Sequence, residues 1–133
     1  MRLLILILSL LAAAPALAQP APVQNRPAEQ RPKHLVVFNK HGPNFAKLSE
    51  MRPQALAHRQ IYLDLTAAGD ILVSGRLEGD PSMGITVFRQ GVDEQRIRKL
   101  LADDAIIKAG VLELEFRYWS VQMGGFGNAA NAQ

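Results

Sequence analysis

The sequence predicts an α+β domain: two helices laid over one face of a four-stranded antiparallel sheet. Three observations lead there. The apolar spacing switches between a period of two and a period near 3.6 in the order β-α-β-β-α-β. Glycine and proline punctuate nearly every switch. The two middle strand runs are separated only by Gly79-Asp80-Pro81-Ser82, which makes them a hairpin. No internal repeat competes with this reading.

Each element has its own signature. Residues 34–38, HLVVF, form a short β run, and residues 39–44 that follow carry turn chemistry around Gly42-Pro43. Asn44 or Ser49 is placed to cap a short helical turn, and Pro53 suits the start of the main helix. That helix runs to about Ala68, where Gly69 supplies the left-handed stop. Residues 70–77 alternate as a strand, with Ile71, Val73, Gly75 and Leu77 on one side and Leu72, Ser74, Arg76 and Glu78 on the other. Residues 83–90 form its hairpin partner. Asp93 is the expected N-cap of a second helix whose apolar face is Ile97, Leu100 and Leu101. Ala109-Gly110 closes that region, and residues 111–123 are a long last strand. Leu112, Leu114, Phe116 and Tyr118 line one face of it; Glu113, Glu115, Arg117, Trp119 and Val121 line the other. This order is the ferredoxin-like split β-α-β plan.

The flanking segments differ in character. Residues 1–18 have a basic start, an apolar run and a small-x-small site at Ala16-Leu17-Ala18, the pattern of a secretory signal peptide. The apolar run is shorter than the ~20 residues needed to cross a bilayer, so no stable span is expected after cleavage. A periplasmic or secreted location follows. Residues 19–33 hold four prolines and no large apolar side chain except Val23, the composition of a disordered leader. Residues 124–133 are glycine-, asparagine- and alanine-rich and read as a flexible tail. The folded domain is then residues 34–123.

Charge and composition exclude several classes. The chain has 15 basic and 12 acidic residues, and loss of Arg2 with the signal leaves 14 against 12. No lysine–arginine cluster or aromatic ladder accompanies this weak bias, so nucleic acid is not expected as a partner. With no cysteine there is neither a disulfide framework nor thiol chemistry. His34, His41 and His58 fit no H-x-H or H-E-x-x-H spacing, so no metal site is expected. Ser74-Gly75 is not a G-x-S-x-G elbow, and the GGFG run precedes no helix, so neither a serine hydrolase nor a phosphate loop is indicated, and no cofactor is implied.

The chemistry centres on His58. At 100° per residue, Leu48, Met51, Gln54, Ala55, His58, Ile61, Tyr62 and Leu65 share one arc of the main helix. An aliphatic stripe therefore carries an imidazole inward. Burying it without a hydrogen-bond partner costs roughly 1–3 kcal/mol, so a partner is expected. Asp104 lies seven residues after Ile97 and falls on the inward face if the second helix, or a turn continuing it, keeps its phase. An aspartate on one ring nitrogen fixes the tautomer and raises the basicity of the other, which suits general acid–base work. The competing reading makes His58 a satisfied core residue and Asp104 a cap for residues 105–108.

Three stretches carry a family resemblance: HLVVFNKHGPNF, AHRQIYLDLTAAGDILVSGRL and LLADDAIIKAGVLELEFRYW. Together they resemble the YciI-like (YCII-related) family. His58 matches the family histidine, Tyr62-Leu63 and Gly69 follow in step, Ser74-Gly75 matches a strand end, and Asp104 matches the family aspartate. Ala105-Ile106 departs from the usual Pro-Phe, and Lys40-His41-Gly42-Pro43 departs from a Pro-Gly-Pro run. The resemblance implies a dimeric α+β barrel, in which the open sheet faces of two subunits meet, and a pocket holding the histidine–aspartate pair. A few relatives act on small aromatic or lactone compounds.

The expected function is a small acid–base enzyme acting on a small, cyclic or aromatic organic molecule, with His58 and Asp104 catalytic. Substrate-binding candidates are Tyr62, Ser74, Arg76, Arg117, Trp119 and His41. Of these, His41 sits in a loop near the mouth, while Arg76, Arg117 and Trp119 share the less apolar sheet face and suit an anionic aromatic ligand. The alternatives are dimer contacts for those three, and a non-catalytic binding or interaction module for the whole protein. A homodimer is the expected assembly.

Overall fold

A computed structural model describes residues 26–126. The signal-peptide reading of residues 1–18, the first part of the leader (19–25) and the end of the tail lie outside the described residues. Strands β1 (Lys33–His41), β2 (Ile71–Leu77), β3 (Asp80–Phe88) and β4 (Leu112–Ser120) alternate with helices α1 (Arg52–Ala67), α2 (Glu94–Ala102) and α3 (Ala105–Lys108). The strands form one sheet in the order β2-β3-β1-β4, and every neighbouring pair is antiparallel. The architecture is α+β and compatible with a ferredoxin-like fold. It has three helices where the sequence predicts two, because the chain breaks at Asp103-Asp104 before α3.

Residues directly opposite one another across a sheet share a face. Val37 pairs with both Thr86 and Phe116, so these three point the same way. They point to the core, where Leu35, Val37, Leu65, Ile71, Phe88, Ile97 and Leu101 are buried against one another. Ile61, Tyr62, Val92, Leu114 and Phe116 pack around them. Each fully buried aliphatic or aromatic side chain contributes about 1.5–3 kcal/mol, and together they fix α1 and α2 on this face. The other face carries Val36, Phe38, Ile85, Val87, Arg117 and Trp119.

Local chemistry explains the element ends. At the end of α1, Gly69 has φ 75° and the Asp70 N–H donates to the Leu65 carbonyl at 2.9 Å, a glycine-based stop. Asp93 caps α2 as expected, accepting from the Arg96 N–H at 3.0 Å. Pro53 falls in the first turn of α1, but neither Asn44 nor Ser49 acts as a side-chain cap. The Asn44 amide instead donates to the Ala109 carbonyl at 2.9 Å. The Gly42 and Asn44 N–H groups donate to Val111 and Gly110, both at 2.9 Å, so this loop is bonded to the turn before β4.

Two strands are longer than expected. β1 runs on to His41 because Asn39 and His41 pair with Leu114 and Leu112 of β4. Ladder pairing there overrides the turn propensity of Asn39-Lys40. β3 begins at Asp80, leaving Glu78-Gly79 as the turn, with Gly79 at φ 87°. The segment before β1 is also tied down: the Arg26 N–H donates to the Gln122 carbonyl at 3.1 Å, and the Val121 N–H to the Pro32 carbonyl at 3.0 Å. Residues 26–32 of the composition-defined leader thus run beside the segment that follows β4. Phe126 lies edge-on to His34 and Trp119, with centroids 5.2 and 5.6 Å apart.

Candidate active site

Asp104 reaches His58 from the N-terminus of α3. Its backbone is extended, with φ −63° and ψ 131°, so it does not continue α2 but starts a new helix. One carboxylate oxygen, Oδ1, accepts from the Ile106 N–H at 2.9 Å. The other, Oδ2, lies 2.5 Å from His58 Nδ1. The cap reading and the pairing reading of Asp104 are therefore both realised, one oxygen each. Asp104 is buried, with 6 % of its surface exposed. A carboxylate only accepts, so the shared proton belongs to Nδ1 and neutral His58 keeps its lone pair on Nε2. Among the described residues Nε2 has no protein hydrogen-bond partner.

The His58 ring lines a cavity of about 680 Å³. Its walls come from the end of β1, the segment before α1, α1 itself and the β2–β3 hairpin, with Ile106 of α3 and Leu112 of β4. This volume is in the usual range for small-molecule sites, about 300–1,000 Å³. Tyr62, one turn after His58, shares the wall; the two ring centroids are 4.9 Å apart. The Tyr62 hydroxyl donates to Asn39 Oδ1 at 3.1 Å. Burial pushes the Tyr62 phenol up to about 12; the Asn39 hydrogen bond opposes this and the Asp104 charge adds to it. Tyr62 is thus a neutral phenol at the site throughout the physiological range.

The other sequence candidates divide into two groups. His41, Ser74 and Arg76 line the cavity. His41 stacks on Phe45, with centroids 3.3 Å apart and planes 12° from parallel. The Ser74 hydroxyl is hydrogen-bonded to that of Thr86 at 2.7 Å. Arg117 and Trp119 do not line the cavity. Arg117 pairs with Glu115 at 2.5 Å, and Trp119 lies half exposed opposite His34. This corrects the grouping of Arg76 with Arg117 and Trp119 on one sheet face. Arg76 sits opposite Gly84, which sits opposite Asn39, on the helix-covered side; Arg117 pairs with Val36 on the other side.

The sequence reading missed Asn39, Arg59 and Gly84, all in the cavity wall. Asn39 continues the Leu35–Val37 alternation and was legible had β1 been extended. Gly84 leaves room over the floor: a side chain there would begin 3.3 Å from the Gly75 carbonyl oxygen and 3.8 Å from the Asn39 side chain. Among the described residues no three His, Asp or Glu side chains form a metal-binding group, and His34 is engaged elsewhere, with Nδ1 2.8 Å from the Phe88 carbonyl oxygen. No described helix is long and apolar enough to cross a membrane. Compared with protein-family models, curated proteins and solved structures, the chain matches none.

Proposed function

We propose that this protein is an exported acid–base enzyme of YciI-like type, acting on a small cyclic or aromatic organic molecule. One observation carries the reading: His58 Nδ1 is held by the buried Asp104 carboxylate while the ring lines an open cavity. A histidine that only fills the core would not also form part of a cavity wall.

The residues divide the chemistry as follows. Nε2 of neutral His58 takes a proton from an activated C–H of the substrate, and the bonding electron pair moves onto an adjacent carbonyl oxygen as an enolate. The resulting imidazolium is stabilised by Asp104, which stays ionised. Return of the proton to the same or a conjugated carbon completes an exchange or isomerisation, with no oxidant or reductant involved. Tyr62, a neutral phenol whose O–H is held on Asn39, forms the wall beside His58 against which the substrate ring lies. The exposed Val73 and Trp119, on the sheet face away from the helices, are the proposed contact with a second copy in a homodimer.

The test is proton exchange. The full chain is incubated in D2O with a panel of small cyclic ketones and unsaturated lactones, and loss of the α-proton signal is followed by NMR. Wild type exchanges at least one panel member, and His58→Gln loses about 10²–10⁴-fold of that rate, the usual share of a general base. Ligand binding by wild type with an exchange rate equal to that of His58→Gln would leave only the binding-module reading.

A further inference from the structure

The cavity beside His58 has a one-sided charge. Arg59, Arg76 and His41 line it together with His58, and no aspartate or glutamate does. Elsewhere in the domain four arginines are matched, Arg89 and Arg96 by Asp70, Arg98 by Glu94 and Arg117 by Glu115, while Arg52, outside the cavity, is not matched among the described residues. Neither Arg59 nor Arg76 forms an ion pair among the described residues. Asp80, close enough to His41 for the two charges to interact, is already taken by the Ser82 N–H and hydroxyl.

The strand register turns this charge into a geometry. Arg76, Gly84 and Asn39 stand in one cross-strand row. Two strand spacings separate the ends of that row, about 10 Å. The middle position has no side chain, so the row frames a gap with a guanidinium at one end. Tyr62, bonded to Asn39, and His58 beside it stand at the other end. Phe45, Leu48, Met83, Ile106 and Leu112 supply apolar wall around it. A lone planar fork with no protein acid fits a carboxylate bidentately. The same fork also fits a phosphate, but the apolar wall suits the body of an organic carboxylate, and phosphate is the competing anion in the test.

We infer that the cavity takes a small organic carboxylate, its anionic group on Arg76 and its apolar body across the Gly84 gap toward His58. The body's orientation toward His58 rests on the acid–base reading above; the carboxylate preference does not. Arg76 is a binding residue in this scheme, and Arg59 adds positive potential at the same wall.

Matched probes test it. The full chain is titrated with benzoate against benzamide, with cyclohexanecarboxylate against its amide, and with inorganic phosphate, and dissociation constants are read by protein-observed NMR. Each carboxylate binds about tenfold more tightly than its amide, the size expected of one charge-assisted pair at a partly exposed site. Arg76→Gln brings the ratio to within about twofold of unity, Arg76→Lys keeps part of it, and Arg117→Gln leaves it unchanged. Equal affinity for acid and amide, no binding by either, a ratio that survives Arg76→Gln, or tighter binding of phosphate would each overturn the inference. These affinities require no turnover. Exchange that persists in His58→Gln would sink the acid–base reading while leaving the acid-to-amide ratio standing.

Discussion

Asp104 performs two jobs with two oxygens, and two substitutions separate them. Asp104→Ala removes both. It strips the α3 cap, worth about 1 kcal/mol, and strands the His58 N–H in a buried setting, at roughly 1–3 kcal/mol more. The sum, about 2–4 kcal/mol, corresponds to a Tm lower by about 10–25 °C for a domain of this size. Asp104→Asn keeps an oxygen for the Ile106 N–H and places the amide NH2 where Oδ2 meets Nδ1. The cap survives and only the charge assistance is lost, about 1 kcal/mol or about 4–8 °C. The chemical effect is larger than the structural one. An amide that donates makes Nδ1 the acceptor, so the ring proton moves to Nε2 and the cavity loses its base. Proton exchange falls by about 10²–10³-fold in a folded protein. Scanning calorimetry gives the two Tm values, and ¹⁵N NMR of the imidazole reads the tautomer. An Asn variant as unstable as the Ala variant would refute the division of oxygens. An Asn variant with wild-type exchange would refute the orienting role.

Gly42→Ala puts a methyl carbon 2.2 Å from the Gly110 carbonyl oxygen, so the loop must move and give up its bonds to Val111 and Gly110. A loss of about 3 kcal/mol is expected, read as a lower urea midpoint with unchanged slope, whereas Gly125→Ala, with open space around it, leaves the midpoint in place. The raised Tyr62 pKa, from 10.0 to about 12, fixes the sign of an alkaline effect. The folded state holds the phenol proton more tightly than the unfolded state, so this contribution is fully present below pH 10 and is lost as pH rises toward 12. Its size is about 2–3 kcal/mol. Tyr62→Phe should flatten the stability curve between pH 10 and 12; a slope unchanged by that substitution would contradict the burial argument.

Much of this site was legible because one helix carries a clear phase. Ile61, Tyr62 and Leu65 face the core, and His58 one turn earlier had to face inward with them. Asp93 was legible as a cap because its chemistry is local. Asp104 was legible as a cap of residues 105–108, but its pairing with His58 was reached by the wrong route. The phase argument extended α2 through it, whereas the chain breaks and restarts with Asp104 as the N-cap of α3. The carboxylate arrives near His58 by capping geometry, not by helical periodicity. Asn39 was lost to its turn propensity, since nothing local to Asn39-Lys40 announces the β4 partner more than seventy residues away that keeps it in the sheet.

The position of Arg76 shows most sharply where sequence periodicity stops. Plain alternation places Ile71, Val73 and Gly75 together and sends Ser74 and Arg76 to the opposite side. In the sheet, Ile71 pairs with Phe88 and Val73 with Val87, two residues advanced on β2 for one on β3, so Leu72 is an extra residue at a bulge. A one-residue slip moves every later side chain to the other face. Ile71 can therefore lie in the core while Ser74 and Arg76, three and five residues on, also face the helix-covered side. Without that extra residue Arg76 would share the open face with Arg117 and Trp119, as alternation suggests, and the cavity beside His58 would lose one of its guanidinium groups. The bulge is invisible to a period-two reading because Leu72 is as apolar as its neighbours. It is fixed by pairing with β3, and it is the bulge that carries a guanidinium to the wall His58 shares.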